Sequence, residues 1–182
     1  MIPYSAFMSF DQIYNSYKKT VFNLSLNYTG NIEDAEEVTQ DVFVKVYENL
    51  TRFRKEADIK TWIYRITINQ SLDFIKAKKR KKRFFQNSFL SVDNEANPVH
   101  VSEFNHPGVT LEQKEAIAFI FKCLNNLPEN QKTVVVLLKI ENLAQHEAAA
   151  IMNTSVKAVE SLFQRAKKNL EILLNKTKEN EK

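Results

Sequence analysis

The apolar residues near the start of the chain recur at the spacing of an amphipathic helix. Ser9 precedes Gln12 by three positions, and such a pair can satisfy two otherwise free backbone amides at a helix start. Ile13, Tyr17 and Val21 then follow at every fourth position. This pattern predicts a first helix whose N-terminus is capped by Ser9.

A second helix is predicted from Asn31, a residue type that suits the position before a helix start. Acidic residues, including Glu33 and Glu36, occupy its first turns, where the helix dipole favours negative charge. Two explanations of these acidic residues remain open. They compensate the helix dipole, or they form a docking face for a partner protein. The apolar face of this helix consists of Ala35, Val38, Val42, Val46 and Leu50, widened by Phe43 and Tyr47.

A third helix is predicted to begin near Asp58 or Thr61 and to run towards Lys79. Its apolar residues cover most of its circumference, which is typical of a helix packed between others. Seven of the eight residues at 76–83 are basic. Such a run is not buried without partners, so it is either a solvated tail or a surface for a polyanion.

Residues 84–110 lose the helical periodicity. They contain Pro98, Pro107 and Gly108 but no lysine or arginine, which is typical of a connecting segment. Helix is predicted to resume at 110–113, where a threonine and a glutamine form a second capping box.

The β-branched run at 134–138 fits either a buried strand or a helix. Helix formers flank it and no partner strand is evident, so a helix is the preferred interpretation. The predicted fold is all-α, with two small helical domains at 9–83 and 111–175 joined by a flexible linker at 84–110. The C-terminal domain is predicted to contain a helix-turn-helix.

The sharpest local pattern, at 145–164, is that of this helix-turn-helix. Such a motif needs a small residue where its helices cross, and a turn residue that tolerates positive φ four positions later. Ala149 and Asn153 meet these needs, and Ser155 can cap the second helix. An ordinary helical hairpin with an asparagine turn is the alternative. In the second helix, Val159 and Leu162 are predicted to face the core. The side chains predicted to face the major groove of DNA are Lys157, Glu160, Ser161 and Gln164. Arg165, Lys167 and Lys168 follow near the helix end and are predicted to reach phosphates.

Composition narrows the class of protein. The chain of 182 residues has 26 Lys and Arg against 22 Asp and Glu, a net charge of +4, and only two Gly, which argues against a turn-rich β fold. Its longest apolar run, six residues at 116–121, is far shorter than the roughly 20 that span a bilayer. No secretory signal is evident at the N-terminus, so the sequence predicts a cytoplasmic protein without membrane insertion.

The sequence offers no catalytic or metal-binding constellation. The single cysteine, Cys123, excludes an internal disulfide and a cysteine-rich zinc site, and it is expected to be buried. His100, His106 and His146 do not have metal-ligand spacing, and there is no glycine-rich phosphate loop. The sequence therefore predicts a protein that is not an enzyme and uses no metal or cofactor.

Taken together, residues from Phe10 to Leu174 resemble the extracytoplasmic-function group of bacterial sigma factors. The segment at 34–45, DAEEVTQDVFVK, resembles the polymerase-binding helix of that family. Phe53-Arg54, TWIYRI at 61–66 and the stretch 69–73 resemble its promoter-melting and −10-reading segment. Leu127-Pro128 at a helix start, with Ala149, Ser155, Val159, Ser161, Arg165-Ala166-Lys167 and Leu170, resembles its −35-reading domain.

The resemblance implies a sigma factor that binds core RNA polymerase and directs transcription initiation at promoters with −10 and −35 elements. Docking on the clamp helices of the largest polymerase subunit is implied for Asp34, Glu37, Gln40, Asp41 and Lys45. Contact with the −10 element is implied for Lys55, Asn69, Asp73, Lys76, Arg80 and Arg83. Contact with the −35 element is implied for Ser155, Lys157, Glu160, Ser161, Gln164, Arg165 and Lys168. The expected partners are core polymerase, promoter DNA and an anti-sigma factor.

Three residues depart from the family pattern. Glu160 and Leu162 stand where lysine and arginine are usual, which weakens the attraction for phosphates, and Ala144 stands where serine or threonine commonly caps a helix. Two other functions remain open from the sequence: a helix-turn-helix regulator that is not a polymerase subunit, and a helical adaptor whose basic run only solubilises it.

Overall fold

The computed structural model describes residues 8–53, 58–88 and 119–180. Every regular element within these ranges is helical, which confirms the all-α prediction. The chain divides into two compact units, Met1–Ala77 and Lys78–Lys182. The helices of the first unit are α1 (Phe10–Thr29), α2 (Ile32–Asn49) with a 3₁₀ turn at Leu50–Arg52, and α3 (Ile59–Ser88), which continues past Ala77.

Local capping fixes the start and the end of α1. The Oγ of Ser9 accepts a hydrogen bond from the backbone of Gln12 at 3.3 Å, and the Gln12 side chain accepts one from the Ser9 backbone at 2.8 Å. The helix ends at Gly30, whose φ of 80° is a left-handed conformation that favours glycine. The predicted capping box at Ser9 is therefore confirmed.

The start of α2 is also set by a side chain. The Oδ1 of Asn31 accepts a hydrogen bond from the Asp34 backbone at 2.9 Å, as the sequence predicts. The side-chain nitrogen Nδ2 of Asn31 donates a hydrogen bond to Oδ2 of Asp34 at 2.7 Å. One residue thus caps the helix and also holds an acidic side chain of its first turn.

The predicted end of α3 near Lys79 was wrong, because the helix continues to Ser88. It runs through the basic segment 76–83 and into the first residues of the predicted linker. The apolar periodicity fades beyond Lys79, but α3 contains no glycine or proline and its lysines and arginines are good helix formers. The high helix propensity of these residues thus extends α3 beyond the part whose apolar side chains pack against the core.

The core of the first unit forms where α1, α2 and α3 meet. Trp62 is half-buried against this core. The buried hydroxyls of Thr67 and Ser71 donate to the backbone carbonyls of Ile63 and Thr67 one turn earlier, so they add no unpaired polar group. The buried apolar cluster is Ile13, Val21, Val38, Val42, Phe43, Val46 and Ile63.

Apart from the end of α3, the second unit is described over residues 119–180, so most of the predicted linker and the capping box at 110–113 lie outside the described residues. The predicted helix over 134–138 is confirmed, and the expected burial of Cys123 is observed. Its elements are α4 (residues 119–125), α5 (Glu129–Val135), a π-helical segment (Val136–Ile140), α6 (Gln145–Met152) and α7 (Val156–Asn180).

The start of α6 has half of a capping box. The Glu147 side chain accepts a hydrogen bond from the Ala144 backbone at 2.8 Å. Ala144, at the position before the helix, has no side-chain oxygen to accept in return from the Glu147 backbone. We predict that Ala144→Ser stabilises the fold by about 1 kcal/mol, because it completes the box. Urea unfolding of both chains measures the gain, and Ala144→Val, which cannot cap, is the control; equal stability of all three would contradict the prediction.

A buried lysine makes the stability of the second unit depend on pH. Lys132 is 5% exposed, and its ammonium donates to Oδ1 of Asn125 at 2.6 Å. Burial lowers the pKa of Lys132 to about 8, since the charged form loses its hydration. Between that value and the ordinary lysine pKa, the unfolded chain binds a proton that the folded chain does not. Stability therefore rises with pH through this window.

We predict that Lys132→Met stabilises the chain at pH 7 by about 1–3 kcal/mol, because methionine fills similar space without the buried charge. The gain should shrink as the pH rises from about 8 towards 10. Urea unfolding at several pH values measures it, with the exposed Lys122→Met as control. A gain that is the same at every pH would contradict the assignment of the effect to Lys132 protonation.

Candidate nucleic-acid and protein interfaces

The polar residues predicted on α2 form one stripe along the helix. Glu37, Asp41 and Lys45 follow each other every four residues, and Asp34 and Gln40 flank them. Glu37, Gln40 and Lys45 are exposed, whereas the two aspartates are half-buried. The structure therefore brings all five predicted docking residues together, but leaves only three of them largely open to solvent.

Both aspartates of this stripe are engaged within the first unit. Asp34 accepts a hydrogen bond from the cap residue Asn31. Oδ2 of Asp41 accepts a hydrogen bond from Nε2 of Gln70 on α3 at 2.8 Å. The sequence pattern did not predict this second contact, because its partners are 29 positions apart and neither has a local signal for pairing.

Next to this stripe lies an aromatic groove that the sequence analysis did not assign to a site. It is a cavity of about 520 Å³ between α1 and α2, with Phe10 and Tyr14 on one side and Phe43 and Tyr47 on the other. The Tyr14 and Phe43 rings lie 4.8 Å apart, and those of Phe10 and Tyr47 lie 5.4 Å apart. Phe43 is buried as expected, but Tyr47 is 68% exposed, so its assignment to the apolar face of α2 was wrong.

A usable signal for the groove is present in the sequence. Phe10 and Tyr14 are four residues apart on α1, and Phe43 and Tyr47 are four residues apart on α2. Such pairs lie on one face of a helix. Tyrosine also tolerates partial exposure through its hydroxyl, which explains why Tyr14 and Tyr47 can line a groove instead of the core.

The predicted −10 residues form a single stripe on α3. Asn69, Asp73, Lys76, Arg80 and Arg83 are spaced by four, three, four and three residues, and all five are exposed. This stripe presents two polar side chains followed by three cations. The remaining predicted residue of this set, Lys55, lies outside the described residues.

An aromatic pair stands at the start of α3. The rings of Phe53 and Trp62 lie 4.8 Å apart with 36° between their planes. Both are half-buried, so each keeps part of its surface accessible.

The helix-turn-helix is confirmed in α6 and α7. Asn153 adopts φ 51° and ψ 50°, the left-handed conformation that the turn requires. Ala149 is buried and Val159 is fully buried, which lets the two helices approach closely. Oγ of Ser155 accepts a hydrogen bond from the Ala158 backbone at 3.2 Å, so the predicted cap of α7 is present.

The first turns of α7 present the predicted groove-facing side chains to solvent. The guanidinium of Arg165 donates to Oγ of Ser161 at 3.1 Å, which links two of them along the helix surface. The structure exposes Ser155, Lys157, Glu160, Ser161, Gln164, Arg165 and Lys168.

Three observations bear on other kinds of site or environment. Burial raises the pKa of the Cys123 thiol, which disfavours the reactive thiolate. Within 8–53, 58–88 and 119–180, no group of three or more His, Cys, Asp and Glu side chains is arranged to hold a metal ion. In the same part of the chain, no helix combines the length and apolar character needed to cross a membrane.

Two family models match the chain. Sigma-70 region 2 matches residues 13–81, and Sigma-70, region 4 matches residues 120–170. The first match contains the stripes of α2 and α3 up to residue 81, and the second contains the helix-turn-helix.

Similar curated proteins extend over nearly the full length. The ECF RNA polymerase sigma-E factor of Haemophilus influenzae is 29% identical over 165 residues, which cover 90% of this chain and 86% of that protein. The ECF RNA polymerase sigma-E factor of Escherichia coli K12 is 26% identical over 163 residues, covering 90% and 85%.

Solved structures share the fold. CnrH, solved with the cytosolic domain of CnrY, aligns with a TM-score of 0.64 at 23% identity and covers 91% of this chain and 87% of CnrH. RpoE of Bartonella quintana, solved with the anti-sigma factor NepR, aligns with a TM-score of 0.65 at 19% identity, covering 91% and 96%.

Proposed function

The chain belongs to the extracytoplasmic-function group of bacterial sigma factors, and on this premise we propose how it engages its partners. The face of α2 docks on core RNA polymerase, α3 meets the −10 element, and α7 enters the major groove of the −35 element. The observation that carries the proposal is that three separate helix faces expose, in this chain order, the residue types that each role needs.

The proposed division of the chain follows these roles. Residues 9–83 bind polymerase and the −10 element, residues 84–110 connect, and residues 111–175 read the −35 element. The matched regions, 13–81 and 120–170, fall inside the two proposed domains. As a sigma factor the protein directs transcription initiation; we assign it no catalytic step of its own and place it in the cytoplasm with the polymerase.

Docking uses the polar stripe of α2 on the clamp helices of the largest polymerase subunit. Glu37, Gln40 and Lys45 are exposed and reach outwards, whereas Asp34 and Asp41 also hold contacts inside the first unit. Charged groups at such a rim steer association and fix the register of the partner. The acidic start of α2 therefore serves docking as well as dipole compensation.

The stripe of α3 suits a −10 element that is being opened. Lys76, Arg80 and Arg83, with Lys55, supply phosphate contacts, which give salt-dependent affinity without sequence choice. Asn69 and Asp73 are polar and exposed, as base contacts require. Unstacking costs a few kcal/mol per base. We therefore assign opening to the complex with polymerase, not to the free chain.

The face of α7 supplies the −35 contacts. Lys157, Glu160, Ser161 and Gln164 occupy the first turns, and these turns contact base edges in a helix-turn-helix. Glu160 can accept a hydrogen bond from the amino group of cytosine. Arg165 and Lys168 lie further along and reach phosphates.

An anti-sigma protein is the proposed regulator. RpoE of Bartonella quintana, which shares the fold, was solved with the anti-sigma factor NepR. The aromatic groove beside the α2 stripe gives such a protein an apolar surface next to polar residues that also serve docking. Occupation of this region would compete with polymerase.

Run-off transcription with core polymerase, followed by sequencing of the start sites, tests the function. We predict specific starts in the presence of the chain. Glu37→Lys should weaken core binding about tenfold or more, because it reverses a charge on the docking face. Lys19→Glu, a charge reversal of the opposite sign at an exposed position of α1, is the control. DNA binding without any dependence on polymerase would favour the helix-turn-helix regulator.

Promoter preference tests the −35 helix. We predict that replacing Lys157 and Ser161 with alanine changes the preferred −35 bases, at roughly 1–3 kcal/mol per affected pair. Lys168→Ala should instead weaken binding to all sequences and reduce the salt dependence, since it contacts phosphate. Selection from a randomised −35 library measures both effects. An unchanged preference in the double variant would mean that another surface reads the −35 element.

A further inference from the structure

One hydrogen bond links the docking helix directly to the helix of the −10 stripe. Nε2 of Gln70 on α3 donates to Oδ2 of Asp41 on α2 at 2.8 Å. The other end of the same amide, Oε1 of Gln70, is buried without a hydrogen-bond partner among the described residues. The pair therefore combines a charge-assisted bond with an unsatisfied acceptor.

Packing alone does not account for a glutamine at this position. A buried acceptor without a partner loses its hydration, whereas an apolar side chain of similar size would fill the space without that cost. The charge of Asp41 also fixes the orientation of the amide, because the opposite orientation would place Oε1 of Gln70 against a carboxylate oxygen. The Gln70 side chain is thus held in one orientation, although this leaves its Oε1 without a hydrogen bond among the described residues.

The position of the pair suggests what this orientation serves. Asp41 lies four residues from both Glu37 and Lys45 on the docking stripe. Gln70 directly follows Asn69 and precedes Asp73 by three residues on α3. The bond therefore joins α2, the helix proposed to dock on polymerase, to α3, whose neighbouring face carries the proposed −10 contacts.

We infer that the Asp41–Gln70 bond is the joint through which docking of α2 on polymerase sets the orientation of the −10 face of α3. Gln70 is then a positioning residue, and Asp41 has one oxygen for Gln70 and a second one for the polymerase. This inference rests on the proposed function, because it requires α2 to dock and α3 to meet the −10 element. A donor from the polymerase on the second oxygen would immobilise the carboxylate, and with it the amide of Gln70.

The test separates core affinity from promoter opening. The full chain is bound to saturating core polymerase, and opening is followed by the fluorescence of 2-aminopurine in the −10 element. Gln70→Glu places two carboxylates opposite each other and should lower the fraction of open complex about tenfold, with little change in the core Kd. Asp41→Asn keeps an acceptor for Gln70 but turns an amide nitrogen, which cannot accept, towards the polymerase donor. We therefore expect it to bind core more weakly and to open the promoter less well than the unaltered chain even at saturation.

The double variant provides a rescue that general damage to the fold would not. With Asp41→Asn and Gln70→Glu together, the asparagine amide donates to the new carboxylate, so the bond is restored with reversed polarity and opening should recover. Failure of the double variant to recover, or normal opening by Gln70→Glu alone, would overturn the inference. If the unaltered chain neither binds core nor opens the promoter, the proposed function itself fails.

A matched pair in the second unit controls for loss of stability. Nδ2 of Asn169 donates to Oε1 of Gln131 at 2.7 Å, which also joins two helices through half-buried amides. Gln131→Ala and Gln70→Ala each remove one interhelical hydrogen bond of this kind. At a temperature at which both variants are folded, only Gln70→Ala should reduce opening of the −10 element. Equal reductions in both variants would mean that lost stability causes the effect, and would contradict the inferred role of the Asp41–Gln70 bond.

Discussion

The rotation of α2 about its own axis is the constraint on which the first unit depends. Val38, Val42 and Val46 recur every four residues and are completely buried against α1 and α3. A helix held by such a stripe cannot turn without exposing it to water, at about 1.5–3 kcal/mol per side chain. The burial of three valines therefore decides that Glu37, Gln40 and Lys45 face outwards.

The same principle operates in the second unit with a different device. Ala149 is small enough for α6 and α7 to cross closely, and Val159 fills the space at the crossing. Asn153 reverses the chain in a left-handed turn, and Ser155 starts α7. These residues contact no DNA in the proposed mechanism, yet they determine which side chains of α7 remain exposed. In both units the exposed polar face is thus a consequence of the residues that are buried behind it.

Local signals in the sequence predicted most of this fold. The capping residues Ser9, Asn31 and Ser155 and the turn at Asn153 act within three or four positions, so their partners are visible in the sequence. The end of α3 was missed because a helix can continue beyond its last apolar core position when the following residues have high helix propensity. The Asp41–Gln70 bond was missed because it forms between helices without a local signal. The aromatic groove was missed although its two aromatic pairs are visible in the sequence, because tertiary packing decides that the pairs meet.

The separation of recognition into several small faces has an energetic consequence. In the proposed mechanism each face offers few side chains that discriminate between bases: Asn69 and Asp73 on α3, and four residues in the first turns of α7. Base contacts of this number give limited specificity by themselves, and the cations beside them bind any DNA. When two such faces are held on one complex, the second contact becomes intramolecular and its effective concentration rises. In the proposed mechanism, polymerase docking through α2 therefore makes weak and separate contacts act together on one promoter.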